Sequence, residues 1–192
     1  DIAAQLIRHG VQVTVFNQRS VGEIFSMLYQ VAAMVGKLEL GIQLIAEMQA
    51  YLLQIKEQSR QLIRRPVIYF EEWDTPNMSC IAWVSELIGI AGGDDCFPEL
   101  AAQSLGKGRI IADPLEIVKR QPDIIFGSWC GKKFRPEHVA ARDGWQDVPA
   151  VRNQQLFEIK SPDILQPGPA ALTDGVAQMH KIIMNWGKLE LY

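Results

Sequence analysis

The chain is 192 residues long, enough for one substantial hydrophobic core or two small ones without disulfide or metal support. An apolar share of 48% and a charged share of 21% exclude a disordered polymer, and no uncharged run approaches the ~20 residues of a membrane-spanning helix. Nineteen Lys and Arg against 22 Asp and Glu give a net charge of -3, so there is no bulk attraction to nucleic acid, and no local basic face stands out.

The chain opens at Asp1 without an initiator Met and without a charged segment leading into an apolar one, so the expectation is that something upstream has been removed, a leader or a larger piece. Residues Ile2 to Arg8 read as a short helix, and after Gly10 the run Val11-Gln-Val-Thr-Val-Phe16 alternates like a strand. One helix and one strand make no domain, so residues 1–18 read as the tail of something larger, which the resemblance given below implies to be an N-terminal lobe. Ser20-Val-Gly-Glu23 has capping-box spacing, and behind it Ile24, Met27, Leu28, Val31 and Val35 recur at helical intervals. A second helical pattern from Glu39 to Leu62 carries Ile42, Ile45, Met48, Leu52 and Ile55 on one face. At ~1.5 Å per residue it spans roughly 35 Å, the width of a small domain. Residues 19–65 therefore read either as helices bridging two lobes or as a long surface helix.

From Pro66 onward strand and helix patterns alternate, which defines the third segment, residues 66–192, as a three-layer α/β lobe with a mostly parallel sheet. Val67 to Phe70 is a buried strand. Ile81, Val84, Leu87 and Ile88 form a helical stripe ended by Gly92-Gly93, and Asp113-Pro-Leu-Glu116 opens a short helix that Pro122 stops. Strands follow at Asp123 to Phe126 and Gln155 to Ile159, with helices at Pro136 to Ala141 and Ala170 to Trp186.

In such sheets ligands bind beyond the carboxyl ends of the strands. The corresponding turns are Glu71-Glu-Trp-Asp74, Gly127-Ser-Trp-Cys-Gly-Lys-Lys133 and Lys160-Ser-Pro-Asp163. Trp73 and Trp129 either offer stacking area to a ligand or fold down onto the lobe, and both readings stand open. Trp83 and Trp186 lie in helical patterns and read as core. Glu71 and Glu72 are neighbours on a strand, so they point to opposite faces and do not share a pocket. No nucleophile elbow, zinc-protease motif, Walker loop or dinucleotide fingerprint occurs, Gly106-Lys-Gly108 is too short to count, and His9, His138 and His180 are scattered. Three cysteines, Cys80, Cys96 and Cys130, have no metal spacing, and a single Cys80–Cys130 bridge is left open.

The order of long helix, strand and Glu71-Glu-Trp73, then Trp83-Val-Ser-Glu-Leu-Ile-Gly-Ile-Ala-Gly-Gly93 and Asp113-Pro-Leu-Glu-Ile-Val-Lys-Arg-Gln-Pro-Asp-Ile-Ile125, resembles the cobalamin and iron-siderophore substrate-binding proteins of ABC importers. The stretch from Gly144-Trp-Gln-Asp-Val-Pro-Ala-Val-Arg152 to Leu165-Gln-Pro-Gly-Pro169 resembles the cobalamin branch more closely. The resemblance implies two α/β lobes joined by a rigid helix, most of the first lobe being absent here. It also implies a periplasmic or extracytoplasmic carrier that is not an enzyme, holds no intrinsic cofactor and passes a corrinoid or related metal chelate to a permease. On that basis Glu72, Trp73, Trp129, Arg142 and Trp145 are the candidate ligand contacts, standing at or near the carboxyl edge. Glu116 is the candidate permease contact, though capping explains it equally well. A lone second lobe would expose an apolar wall, which implies pairing of two copies. The rival reading is a cytosolic α/β enzyme or nucleotide-binding domain, which rests on fold class alone.

Overall fold

The computed structural model describes residues 2–189. Asp1 and residues 190–192, the outer ends of the first and third segments named above, lie outside the described residues. Helix α1 (Ile2–Arg8) buries none of its side chains. The alternating run 11–16 forms no strand, because no strand among the described residues lies beside it to complete a ladder.

Helix α2 (Val21–Met34) starts as its residues require: Ser20 Oγ accepts from the Glu23 amide at 3.1 Å, and the Glu23 carboxylate accepts from the Ser20 amide at 3.2 Å. Helix α3 (Leu38–Ser59) is 22 residues long and buries Met48, Leu52, Ile55 and Ser59. Its N-terminal half stays in water, and Ile42, expected on the buried stripe, is exposed. Helix α2 packs against that end on one side, where a Cβ added at Gly41 would lie 2.3 Å from that of Ala32.

The sheet contains β1 (Val67–Asp74), β2 (Asn77–Ser79), β3 (Asp94–Asp95), β4 (Ile124–Gly127) and β5 (Leu156–Glu158), in the order β2-β1-β4-β5, with β3 also on β1. Strands β3, β4 and β5 run parallel to their neighbours, and only β2 is antiparallel. Strand β1 is longer than its sequence suggests. Glu71 to Asp74 continue it instead of turning, because β2 folds back to pair Glu71 with Ser79 and Asp74 with Asn77.

Alternation along β1 and β4 builds two cores. Ile68, Phe70, Ile124 and Phe126 face the first, beneath α3, α4 (Ala82–Ala91) and the C-terminal helix. Tyr69 and Ile125 face the second, with Phe97, Ile117, Phe134 and Val139. Helix α4 ends at Gly92, whose φ of +111° is the left-handed cap that glycine allows. Shorter helices follow: α5 (Pro98–Ala101), α6 (Leu115–Lys119), α7 (Pro136–Ala140), α8 (Pro149–Arg152) and α9 (Ser161–Ile164). The last helix, α10 (Val176–Leu189), is entered through a wide π turn at Ala171–Gly175. Trp83 and Trp186 are buried in the first core, as their helical spacing suggests.

The three cysteines are free: Cys80 and Cys96 are buried and Cys130 is exposed, so the Cys80–Cys130 bridge does not form. Burial pushes the Cys96 thiol up to about 12 and the Cys80 thiol well above its ordinary range.

Candidate ligand-binding rim

The carboxyl edge of the sheet is organised by a carboxylate. Glu71 follows Tyr69 on the second-core face of β1 and is 0% exposed. Its Oε1 accepts from Trp129 Nε1 at 3.0 Å and from Arg142 Nη2 at 2.8 Å. Its Oε2 accepts from Arg142 Nη1 at 2.6 Å and from Asn77 Nδ2 at 3.0 Å. A buried charge costs several kcal/mol unless it is paired and hydrogen-bonded, and here both conditions hold. The bidentate fork gives Arg142 one orientation. Burial works against the Arg142 charge, but the Glu71 carboxylate outweighs it and holds the pKa above the ordinary value. Burial, with Glu71 alongside, raises the Tyr69 hydroxyl well above its usual range.

Trp129 enters this cluster because β4 ends at Gly127, where the Phe134 ring sits so close that an added Cβ would lie 1.9 Å from it. The 128–134 loop therefore folds back over the strand end, and Trp129 packs edge-on to Phe134 at 5.0 Å between centroids. Trp145 packs edge-on to Tyr69 at 6.3 Å, with the Arg142 guanidinium 4.6 Å from its ring. Trp129 and Trp145 are 5% and 1% exposed, so of the two readings left open for Trp129 the fold takes the one in which the ring packs down, and Trp145 is buried as well. Each found a buried partner for its ring, and Trp129 an acceptor for its N–H as well.

Glu72 is corrected too. Strand parity turns it to the opposite face, where both its oxygens accept from Arg109 Nη2 at 2.8 and 2.9 Å, and it lines neither cleft described below. Burial raises its pKa, and the Arg109 charge works against that rise. Trp73 remains half-buried at the rim. Its Nε1 donates to the Thr75 carbonyl at 3.0 Å, and Lys132 Nζ lies 4.4 Å from its ring centroid and 5.3 Å from that of Trp129. Glu116 is half-buried on α6, lines neither cleft described below, and is ion-paired with Lys119.

Two open clefts lie along the carboxyl edge, and Trp73 lines neither of them. One, of about 460 Å³, is lined by the β1–β2 hairpin from Asp74 to Asn77 together with Ile111, Pro114, Arg142, Asp143 and Trp145. The other, of about 640 Å³, lies over the ends of β4 and β5 and is lined by Trp129, Lys132, Lys133, Glu158, Lys160 and Ser161. Of the candidate contacts, the fold thus brings Trp73, Trp129, Arg142 and Trp145 to one edge and sends Glu72 elsewhere. The sequence reading missed Glu71, Asn77 and the lysines. Glu71 could have been found by parity with Tyr69, and the lysines by their places in two of the three rim turns.

A two-faced α/β sheet with preformed clefts along its carboxyl edge and a long helix beside it defines a binding protein for a small molecule. Residues 1–162 match the periplasmic binding protein family, and the chain belongs to it. That family consists of substrate-binding proteins of ABC importers, which carry small-molecule ligands to a permease. Among solved structures, the periplasmic vitamin B12 binding protein of Vibrio cholerae is 18% identical with a TM-score of 0.71, covering 96% of this chain and 69% of its own. The periplasmic heme-binding protein of Roseiflexus sp. RS-1 is 20% identical with a TM-score of 0.74, covering 94% and 71%. An ABC transporter substrate-binding protein of Listeria monocytogenes is 15% identical with a TM-score of 0.75, covering 95% and 71%. At these identities the likeness is one of fold. None of the curated proteins compared matches the chain. No helix among the described residues is long and apolar enough to cross a membrane.

Proposed function

We propose that this chain is the substrate-binding component of an ABC importer and works outside the cytoplasmic membrane. Its ligand is a bulky metal chelate, a corrinoid such as cobalamin or an iron chelate, captured without chemical change. The observation that carries this reading is the rim itself: two open clefts, one walled by Arg142 and Trp145 and the other by Trp129 and exposed Lys132, with the half-buried Trp73 ring 4.4 Å from Lys132 Nζ. Groups already locked in place lose little freedom when a rigid guest arrives, so the binding energy is not spent on ordering them. Trp73 supplies ring area, and Arg142, its charge paired with Glu71, supplies its remaining N–H groups as fixed donors for polar groups on the ligand.

Glu116 is the proposed contact to the permease, a partly exposed carboxylate on α6 that lines neither cleft. The large apolar side chains at the surface of α2 and α3, Met34, Val35, Leu40 and Ile42 among them, support pairing of two copies of the chain.

Titration with cyanocobalamin, hemin and a ferric hydroxamate, followed by tryptophan fluorescence, tests the reading. Saturable quenching by at least one of them is expected, and Trp73→Ala should reduce both its amplitude and the affinity. No response to any of the three removes the proposal.

A further inference from the structure

The two clefts differ in charge. In the hairpin cleft the acids are Asp74 and Asp143, and its one cation, Arg142, is already neutralised by buried Glu71. In the cleft over β4 and β5 three cations, Lys132, Lys133 and Lys160, face a single acid, Glu158. That acid is partly engaged, since Glu158 Oε1 accepts from the Phe134 amide at 3.1 Å. Lys132 is shared with Asp74 at 2.5 Å across the Trp73 ring. Lys133 and Lys160 take part in no ion pair among the described residues.

A bulky guest seated over this cleft strips water from ammonium groups that have no internal partner. An uncharged periphery would leave that loss uncompensated, whereas carboxylates would replace the water with charge-assisted hydrogen bonds. Resting on the carrier reading above, the geometry points to an anionic chelate as the ligand, its carboxylates entering the lysine cleft and its apolar body lying against Trp73 and the exposed edge of Trp129. An uncharged corrinoid fits this lining less well.

The test compares probes on the full chain: hemin and ferric citrate, which carry carboxylates, against cyanocobalamin, ferrichrome and hemin dimethyl ester, which carry none. A carboxylate-bearing probe is expected to bind at least about tenfold more tightly than the uncharged ones. That preference should shrink as ionic strength rises from about 0.02 to 0.2 M, where the screening length drops to roughly 7 Å. Lys133→Glu with Lys160→Glu should weaken the carboxylate probe roughly tenfold and leave any binding of the uncharged probes in place. Both lysines are exposed, so an unchanged unfolding midpoint shows that the variant is folded, and Lys133→Ala with Lys160→Ala is the milder check. Uncharged probes that bind equally well, or a carboxylate probe indifferent to the reversal, would overturn the anionic assignment while leaving the carrier function standing. No binding by any probe overturns both.

Discussion

At the carboxyl rim a fully buried carboxylate, Glu71, is satisfied by three partner side chains, whereas along α2 and α3 large apolar side chains meet water. Each is a residue type out of keeping with its surroundings, but only the first has been compensated within the chain. The rim is therefore rigid on its own terms. The helical pair leaves its apolar side chains in water, and that difference separates a built site from an uncompensated surface.

Four substitutions break or sharpen the contrast, taken in order of expected effect. Glu71→Ala removes the acceptor for Arg142, Trp129 and Asn77 together and leaves a guanidinium without its counter-charge; a loss of about 3–5 kcal/mol is expected in urea unfolding. A loss below about 1 kcal/mol would mean that the rim rearranges freely and is not preorganised. Gly127→Ala pushes a methyl group into the Phe134 ring and should cost about 1–3 kcal/mol while shifting near-ultraviolet signals of Trp129. Ser20→Ala removes the cap of α2 and should lower stability by about 1 kcal/mol, read from the thermal midpoint. Leu40→Ser with Ile42→Ser should change stability by no more than about 0.5 kcal/mol, since both side chains already face solvent. Light scattering on that pair is the sharper measurement: the parent chain should associate at high micromolar concentration and the variant should not. A strictly monomeric parent would leave the apolar face without the second copy proposed for it.

The elements with local signatures were legible in the sequence. The capping box of α2, the Gly92 stop of α4 and the apolar run of β4 after Pro122 appear where side-chain chemistry puts them. The 11–16 run failed for the complementary reason, because alternation is necessary for a strand but a ladder needs a partner. Strand β1 ran on past Phe70 because a hairpin partner was available, which no property of Glu71 to Asp74 announces.

The site was legible as a place but not as an arrangement. Strand ends and their turns could be listed by residue number, and that drew attention to the right edge of the sheet. Choosing Glu72 over Glu71 was an error of parity, since the alternation that places Tyr69 in the second core places Glu71 there as well. The packing of Trp129, which the sequence left open, and of Trp145 was decided by what lies beneath their loops. A loop's tryptophan is buried or open according to whether the fold supplies a ring and an acceptor beneath it, and here Tyr69 and Glu71 come from a strand tens of residues away, while Phe134 lies in the same loop as Trp129.

Taken alone, the order of residues determined the alternation of strand and helix, the two apolar faces of the sheet and the family to which the chain belongs, because these depend on patterns repeated over short distances. Tertiary structure alone decided that Glu71 and not Glu72 holds Arg142, and that three lysines separated by up to 28 positions share one cleft although the chain is acidic overall. Charge in a sequence is a sum, whereas the potential a ligand meets depends on which charges the fold gathers at one place and which it has already paired.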